Sequence, residues 1–230
     1  MSIVDKEFGE IKIRKNKLAR SVKLSVGVDG SLRASIPYYS PEFAVRRLVN
    51  GNRDEIRKML ATHNAKNSYQ DGDLIGKTHT LFLRKFSGEE IKISNEGNQI
   101  LVQIPQELAF ENQLVQSEIR KTVSKILRRQ AKAYLPRRID FLAEKYGFNF
   151  EKLRFSHTGT RWGSCSSSGT ISLNIALMNL PHHLIDYVII HELCHTRQMN
   201  HSFKFWQEVE KYCPDYKKYV QEIKQFSPTV

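Results

Sequence analysis

The sequence predicts an α+β protein with strands and helices in its first half and helices around a small sheet in its second. Three observations predict it. Residues up to about 105 contain short apolar-polar alternations broken by glycine-containing turns. From about Glu111 the apolar residues recur at helical spacing. Near the end, a strongly apolar stretch, LIDYVII, runs into HELCHTRQMNH at 191–201.

Taken in order, VKLSVGVDGSLRASIP alternates through Val22, Leu24, Val26 and Val28, breaks at Asp29-Gly30 and resumes at Leu32, Ala34 and Ile36, which predicts a hairpin. Ser40 and Pro41 are placed to start a helix whose apolar stripe is Phe43, Ala44, Leu48 and Val49; Asn50-Gly51 then separates it from a second helix, RDEIRKMLATHN. Residues 71–105 predict three or four short strands. Leu114, Ile119, Val123, Ile126, Leu127 and Ala131 make the apolar face of the next helix, which Pro136 should end or kink. KLRFS and the stretch around Ile171 and Leu173 read as strands. Pro181 suits the first turn of the helix bearing the histidines, and Ser202 can cap FKFWQEVEKYC. These patterns divide the chain into a mainly β region with a helical insert at 1–110 and a second region at 111–230. That boundary rests on a composition shift, with a single domain as the alternative.

The composition, 40% hydrophobic and 26% charged, is that of a folded globular chain. No run of eighteen apolar residues is present to span a membrane, and the charged N-terminus argues against a signal peptide. Cys165, Cys194 and Cys213 are an odd set without framework spacing, which predicts reduced thiols and a cytoplasmic protein. The net charge of +12 would attract polyanions. Arg128, Arg129, Arg137 and Arg138 are the candidate contacts for a nucleic acid or nucleotide; a solvated helix face is the alternative. The oligomeric state stays open.

The chemistry is concentrated in HELCHTRQMNH. His191 and His195 are four apart, so on a helix both imidazoles project from one face and can hold one zinc ion. Glu192 leaves the helix at another angle and can act on a water as general base. His201 is the candidate third ligand, with Glu208 or Glu210 as replacements if it is only a loop histidine. Its spacing is that of metzincin proteases, yet their midway glycine is replaced by Gln198 and no methionine follows Met199, so that assignment fails. The turn then falls to Gln198-Met199-Asn200, and Asn200 is the residue best able to take a left-handed backbone. Cys194 should point away from the histidine face into the core. Arg161, His157 and Tyr187 are the candidate donors to a developing oxyanion.

Several segments resemble the YgjP-like metallopeptidases, relatives of SprT-type zinc proteases: RWGSCSSSGTISLN at 161–174, IDYVIIHELCH at 185–195, NHSFKFW at 200–206, CPDYKKY at 213–219 and, more weakly, the N-terminal hairpin. The resemblance implies a compact zincin-like unit in the C-terminal half, its HExxH helix packed on a small sheet. It also implies one zinc per chain on His191, His195 and His201, with Glu192 as the catalytic glutamate and a peptide or protein as substrate. By analogy with zincins, an edge strand at 170–175 would receive the substrate by strand addition. Two other functions use the same features: hydrolysis of a nucleotide pyrophosphate at the same metal, and proteolysis on DNA held by the basic helices.

Overall fold

The structure, a computed structural model, describes residues 1–27 and 30–230, with side chains at all of them except 63–67. The chain is α+β, and it divides into two compact units: Met1–Gln70, Lys85–Ile91 and Ile104–Ile119 in the first, and Asp71–Arg84, Lys92–Gln103 and Arg120–Val230 in the second.

The first unit begins with strands β1 (Ser2–Asp5), β2 (Gly9–Asn16), β3 (Lys23–Val26) and β4 (Leu32–Pro37), in the order β1-β2-β4-β3. β3 and β4 form the expected antiparallel pair, Val26 opposite Leu32, while β2 runs parallel to β4. Of the expected turn, Val28 and Asp29 lie outside the described residues; Gly30 has φ 74°, the left-handed conformation that favours glycine. Period-two alternation turns Ile11, Ile13, Leu32, Ala34 and Ile36 inward against Val45, Val49 and Ile56 of helices α1 (Phe43–Gly51) and α2 (Arg53–Asn67). Ser40 does not cap α1. Glu42 precedes the helix without a side-chain cap, and the tetrapeptide turn Pro41–Ala44 makes the entry through backbone bonds. Arg53 ties the helices to the first strand's end, reaching Asp5 at 2.9 Å and Glu7 at 2.8 Å.

Strands β5 (Leu74–Ile75), β6 (His79–Phe86), β7 (Lys92–Glu96) and β8 (Gln99–Pro105) form a second sheet ordered β5-β6-β8-β7. Helix α3 (Gln113–Tyr146) follows as one 34-residue helix. It continues past Pro136, which removes one helical donor without ending the element, so of the two expected outcomes the helix end does not occur. The buried stripe also starts one residue later than expected: Val115 is buried, whereas Leu114 is 67% exposed. Gly147, at φ 67°, ends the helix with Phe148 N–H bonded to the Ala143 carbonyl, a left-handed C-terminal cap.

The third sheet positions the histidine segment. It contains β9 (Lys152–Ser156), β10 (Gly163–Cys165) and β11 (Thr170–Asn174) in the order β10-β11-β9. β11 pairs antiparallel with β10 and parallel with β9, so it is the central strand. Residues 170–175 therefore cannot supply the free edge expected of them; both sides of that strand are already bonded. The edge next to the histidine helix is β10. Asn174, fully buried at the end of β11, donates to the carbonyls of Thr158, Arg161 and Pro228 and accepts from Ala176 N–H. One side chain thus ties the loop before β10 and the C-terminal tail to the sheet. Helix α4 (His182–Cys194) lies against β10 and β11, and is followed by α5 (Phe203–Tyr212) and α6 (Tyr216–Glu222). Ser202 caps α5 as expected, accepting from Phe205 N–H.

Candidate metal centre

Helix α4 is buried on most of its circumference, from Leu184 to Cys194, because its apolar residues recur on every face. Into that setting it carries His191 and, at its C-terminal end, His195. Their rings lie 4.9 Å apart, and His201 closes the group at 5.1 Å from His191 and 4.7 Å from His195. One ring nitrogen from each falls within 4.8 Å of the others. The Nε2 atoms of His191 and His201 are 3.1 Å apart. Two nitrogens on a tetrahedral zinc, each about 2.05 Å from it, stand about 3.3 Å apart. The donor set thus suits zinc in kind, and the His191–His201 pair suits it in spacing.

The chain returns His201 to this point without any left-handed residue. Among the described residues no non-glycine has a positive φ, so Asn200 does not play the part expected of it. Instead the end of α4 tightens: Thr196 N–H bonds to Leu193, and both Arg197 and Gln198 N–H bond to Cys194. Arg197 then fastens the turn, donating to Glu208 at 2.6 Å, to the Tyr212 hydroxyl at 2.9 Å and to the Gly147 carbonyl. Glu208 is thereby engaged away from the histidines, and Glu210 pairs with Lys217. Gln198, standing where a metzincin has glycine, offers its carbonyl to His195 Nδ1 at 3.0 Å. That bond holds the proton on Nδ1 and leaves Nε2 available to a metal.

Burial and the neighbouring imidazoles press His191 down to about 3, and burial lowers His195 against the pull of the Gln198 carbonyl. Both rings are neutral at physiological pH, the form that binds metal. Glu192 is 5% exposed, and burial pushes its carboxyl up to about 8 despite the opposing charge of Arg161. Its Oε2 and the Nδ1 of His191 are buried without a hydrogen-bond partner. An orphaned carboxyl oxygen beside three convergent imidazoles is the arrangement that a metal ion and a reacting water would complete.

Three neighbours of this cluster carry no signal in the histidine spacing. Phe205, fully buried, stacks on His195 at 4.4 Å and meets His191 and His201 edge-on at 4.9 Å each. Trp206 lies 5.8 Å from both His191 and His201 and stacks on Tyr216. The NHSFKFW segment was the available clue. Gly163 of β10 is the third: a Cβ there would stand 2.7 Å from Glu192 Cγ and Oε1.

Of the other candidates, Tyr187 is buried one turn before His191, 6.0 Å between rings, with its hydroxyl pushed up to about 12 by burial. Arg161 is exposed beside β10, and His157 is exposed in the segment after β9. Cys194 is fully buried, as core packing requires. The four arginines of α3 do not form one ridge. Arg138 is held by Asp186 through two bonds of 2.6 and 2.5 Å, and Arg129 faces His79 at 3.4 Å. Arg128 and Arg137, nine positions apart, sit about half a turn out of phase.

A family model described as the YgjP-like metallopeptidase domain matches residues 20–226. Among solved structures the chain is similar to the metallopeptidase zymogen abylysin of Pyrococcus abyssi, with 26% identity, a TM-score of 0.36, and 40% of this chain and 93% of that one covered. It is also similar to the zymogen jannalysin of Methanocaldococcus jannaschii, with 23% identity, a TM-score of 0.35, and 39% and 93% covered. No curated protein matches the chain. No described helix is long and apolar enough to cross a membrane. The family match spans the three histidines, the glutamate and the strands around them, and the chain belongs to the YgjP-like metallopeptidase family.

Proposed function

We propose that the protein is a zinc-dependent endopeptidase in which His191, His195 and His201 hold one zinc ion and Glu192 is the general base. The observation that carries this reading is the convergence of three imidazoles beside a buried glutamate whose Oε2 has no hydrogen-bond partner. Zinc in this position supplies Lewis acidity, lowering the pKa of a water to roughly 7 and polarising the scissile carbonyl. Glu192 takes a proton from the attacking water and delivers it to the leaving amine. An extended peptide pairs with β10, the sheet edge that borders Glu192, rather than with the interior β11. Arg161, whose charge reaches the Glu192 carboxyl, supplies positive charge near the oxyanion.

Metal analysis tests the site. Protein purified without chelators should contain close to one zinc per chain, and His201→Ala should bind it more than about 100-fold more weakly. A His201→Ala variant that keeps stoichiometric zinc would remove His201 from the ligand set. Assays on an unfolded protein and on nucleoside triphosphates, each with a chelator control, separate peptide from pyrophosphate hydrolysis.

Gly163 gives an independent test of the β10 assignment. Gly163→Ala should bind zinc normally yet lose about 10- to 100-fold in turnover, because the new methyl displaces the glutamate from its working position. Wild-type turnover in this variant would mean that Glu192 does not work from its observed rotamer.

A further inference from the structure

The first unit carries a basic surface that the metal centre does not use. From residue 11 to residue 27 the sequence has six cations, Lys12, Arg14, Lys15, Lys17, Arg20 and Lys23, and no acid. The strand pattern sorts them: Ile11 and Ile13 face the helices, while Lys12 and Arg14 face outward. Register then aligns the outward residues of neighbouring strands. Arg14 stands opposite Ser35, and Ser35 opposite Lys23, so two cations flank a hydroxyl across three strands, about 10 Å from end to end. Among the described residues no ion pair involves Arg14, Lys15, Lys17, Arg20 or Lys23. Clustered like charges repel one another, and an anionic partner would relieve that repulsion.

The end of the sheet is aromatic, and it is reached from the other side as well: Lys15 stands opposite inward-facing Ile36, on the face away from Arg14. β2 and β4 are parallel and finish together, Asn16 opposite Pro37, so Lys17 and Leu18 leave the sheet beside Tyr38 and Tyr39. The ammonium groups of Lys15 and Lys17 lie 5.9 and 5.8 Å from the Tyr38 ring. Tyr39 is 94% exposed and meets Tyr38 edge-on at 5.3 Å. A row of cations and hydroxyls leading to an uncovered ring matches a chain of phosphodiesters whose bases can stack.

We propose that this face and the adjoining end of the sheet bind single-stranded nucleic acid, with Arg14 and Lys23 contacting phosphates on the face, Lys15 and Lys17 contacting them at the end, and Tyr38 and Tyr39 stacking on bases. An anionic membrane is the competing partner, and Leu18, 90% exposed at the same tip, is the residue it would engage. The sheet face favours the nucleic acid: its outward residues on β2, β3 and β4 around Arg14 are Lys12, Asn16, Lys23, Arg33, Ser35 and the half-buried Pro37, which offer no large apolar side chain to a bilayer.

Fluorescence anisotropy of the full chain with oligouridylate and oligothymidylate tests the proposal across a salt series. Wild-type affinity should fall steeply with salt. The quadruple variant Arg14→Gln/Lys15→Gln/Lys17→Gln/Lys23→Gln should flatten the log-log slope by up to about 3. Tyr38→Ala/Tyr39→Ala should weaken binding about tenfold with the slope retained. Leu18→Ala should leave oligonucleotide binding within about twofold. Thermal melting confirms that each variant is folded, and the tyrosine variant decides should the charge variant fail. Salt-independent binding, an unaltered slope in the folded quadruple variant, or capture by phosphatidylserine vesicles in preference to both oligonucleotides would overturn the proposal.

Discussion

Glu192→Gln should abolish proteolysis while the zinc stays bound: turnover is expected to fall by about 100- to 10,000-fold, with KM and metal content close to wild type. Glutamine keeps the volume and the position against Gly163 but cannot accept a proton from water. The same variant has a second readout in chelator-treated protein. Burial raises the Glu192 carboxyl to about 8 from an ordinary 4.5, so the native state holds its proton where the unfolded chain has lost it. This proton's contribution to stability is complete below about pH 4.5 and is lost as the pH rises through about 8. Chelated wild type should therefore weaken over that range relative to Glu192→Gln, by an amount of the order of a few kcal/mol. Full proteolysis by a zinc-loaded Glu192→Gln protein would end the general-base assignment, whatever the stability curves show.

What the sequence made legible was local. The His191–His195 pair follows from helix periodicity, Ser202 as a cap from its place before FKFW, and the inward face of β4 from period two. What it hid was set by partners far along the chain. Strand β11 looked like a sheet edge because nothing in TISLN announces that β9 and β10 flank it; strand order is a pairing between segments, not a property of one. Leu114 and Val115 differ by one position on a helix, and only the packing of the rest decides which turns inward. Asn200 was expected to take a left-handed backbone in place of the metzincin glycine, yet the last turn of α4 tightens through Cys194 and carries the chain round. Gly163 and Asn174 work through what they lack or what they bond, and neither shows in a spacing.

Phe205→Ala should produce the largest loss of stability, about 3–5 kcal/mol, because the ring is fully buried and its removal leaves a cavity under the histidines. The loss should not stop at packing. Phe205 stacks on His195 and touches His191 and His201 edge-on, so it is the common support of rings that come from two different segments. Its N–H also bonds to Ser202, placing the ring on the first turn of α5, directly after His201. Without the ring, His191 and His195 keep their helix-defined spacing, while His201 loses the surface that fixes its approach. Zinc affinity should then fall by about tenfold or more, and added zinc should raise the melting temperature of the variant, since the ion binds the folded state alone. Phe205→Leu, which retains most of the buried volume, should recover the larger part of the stability and less of the zinc affinity, because a flat face against His195 is what leucine lacks. Equal recovery of both would make Phe205 a core residue that happens to lie near a metal. A zinc titration of Phe205→Ala that overlays the wild type would show that α4 and the tightened turn, without the ring, are enough to hold the third histidine.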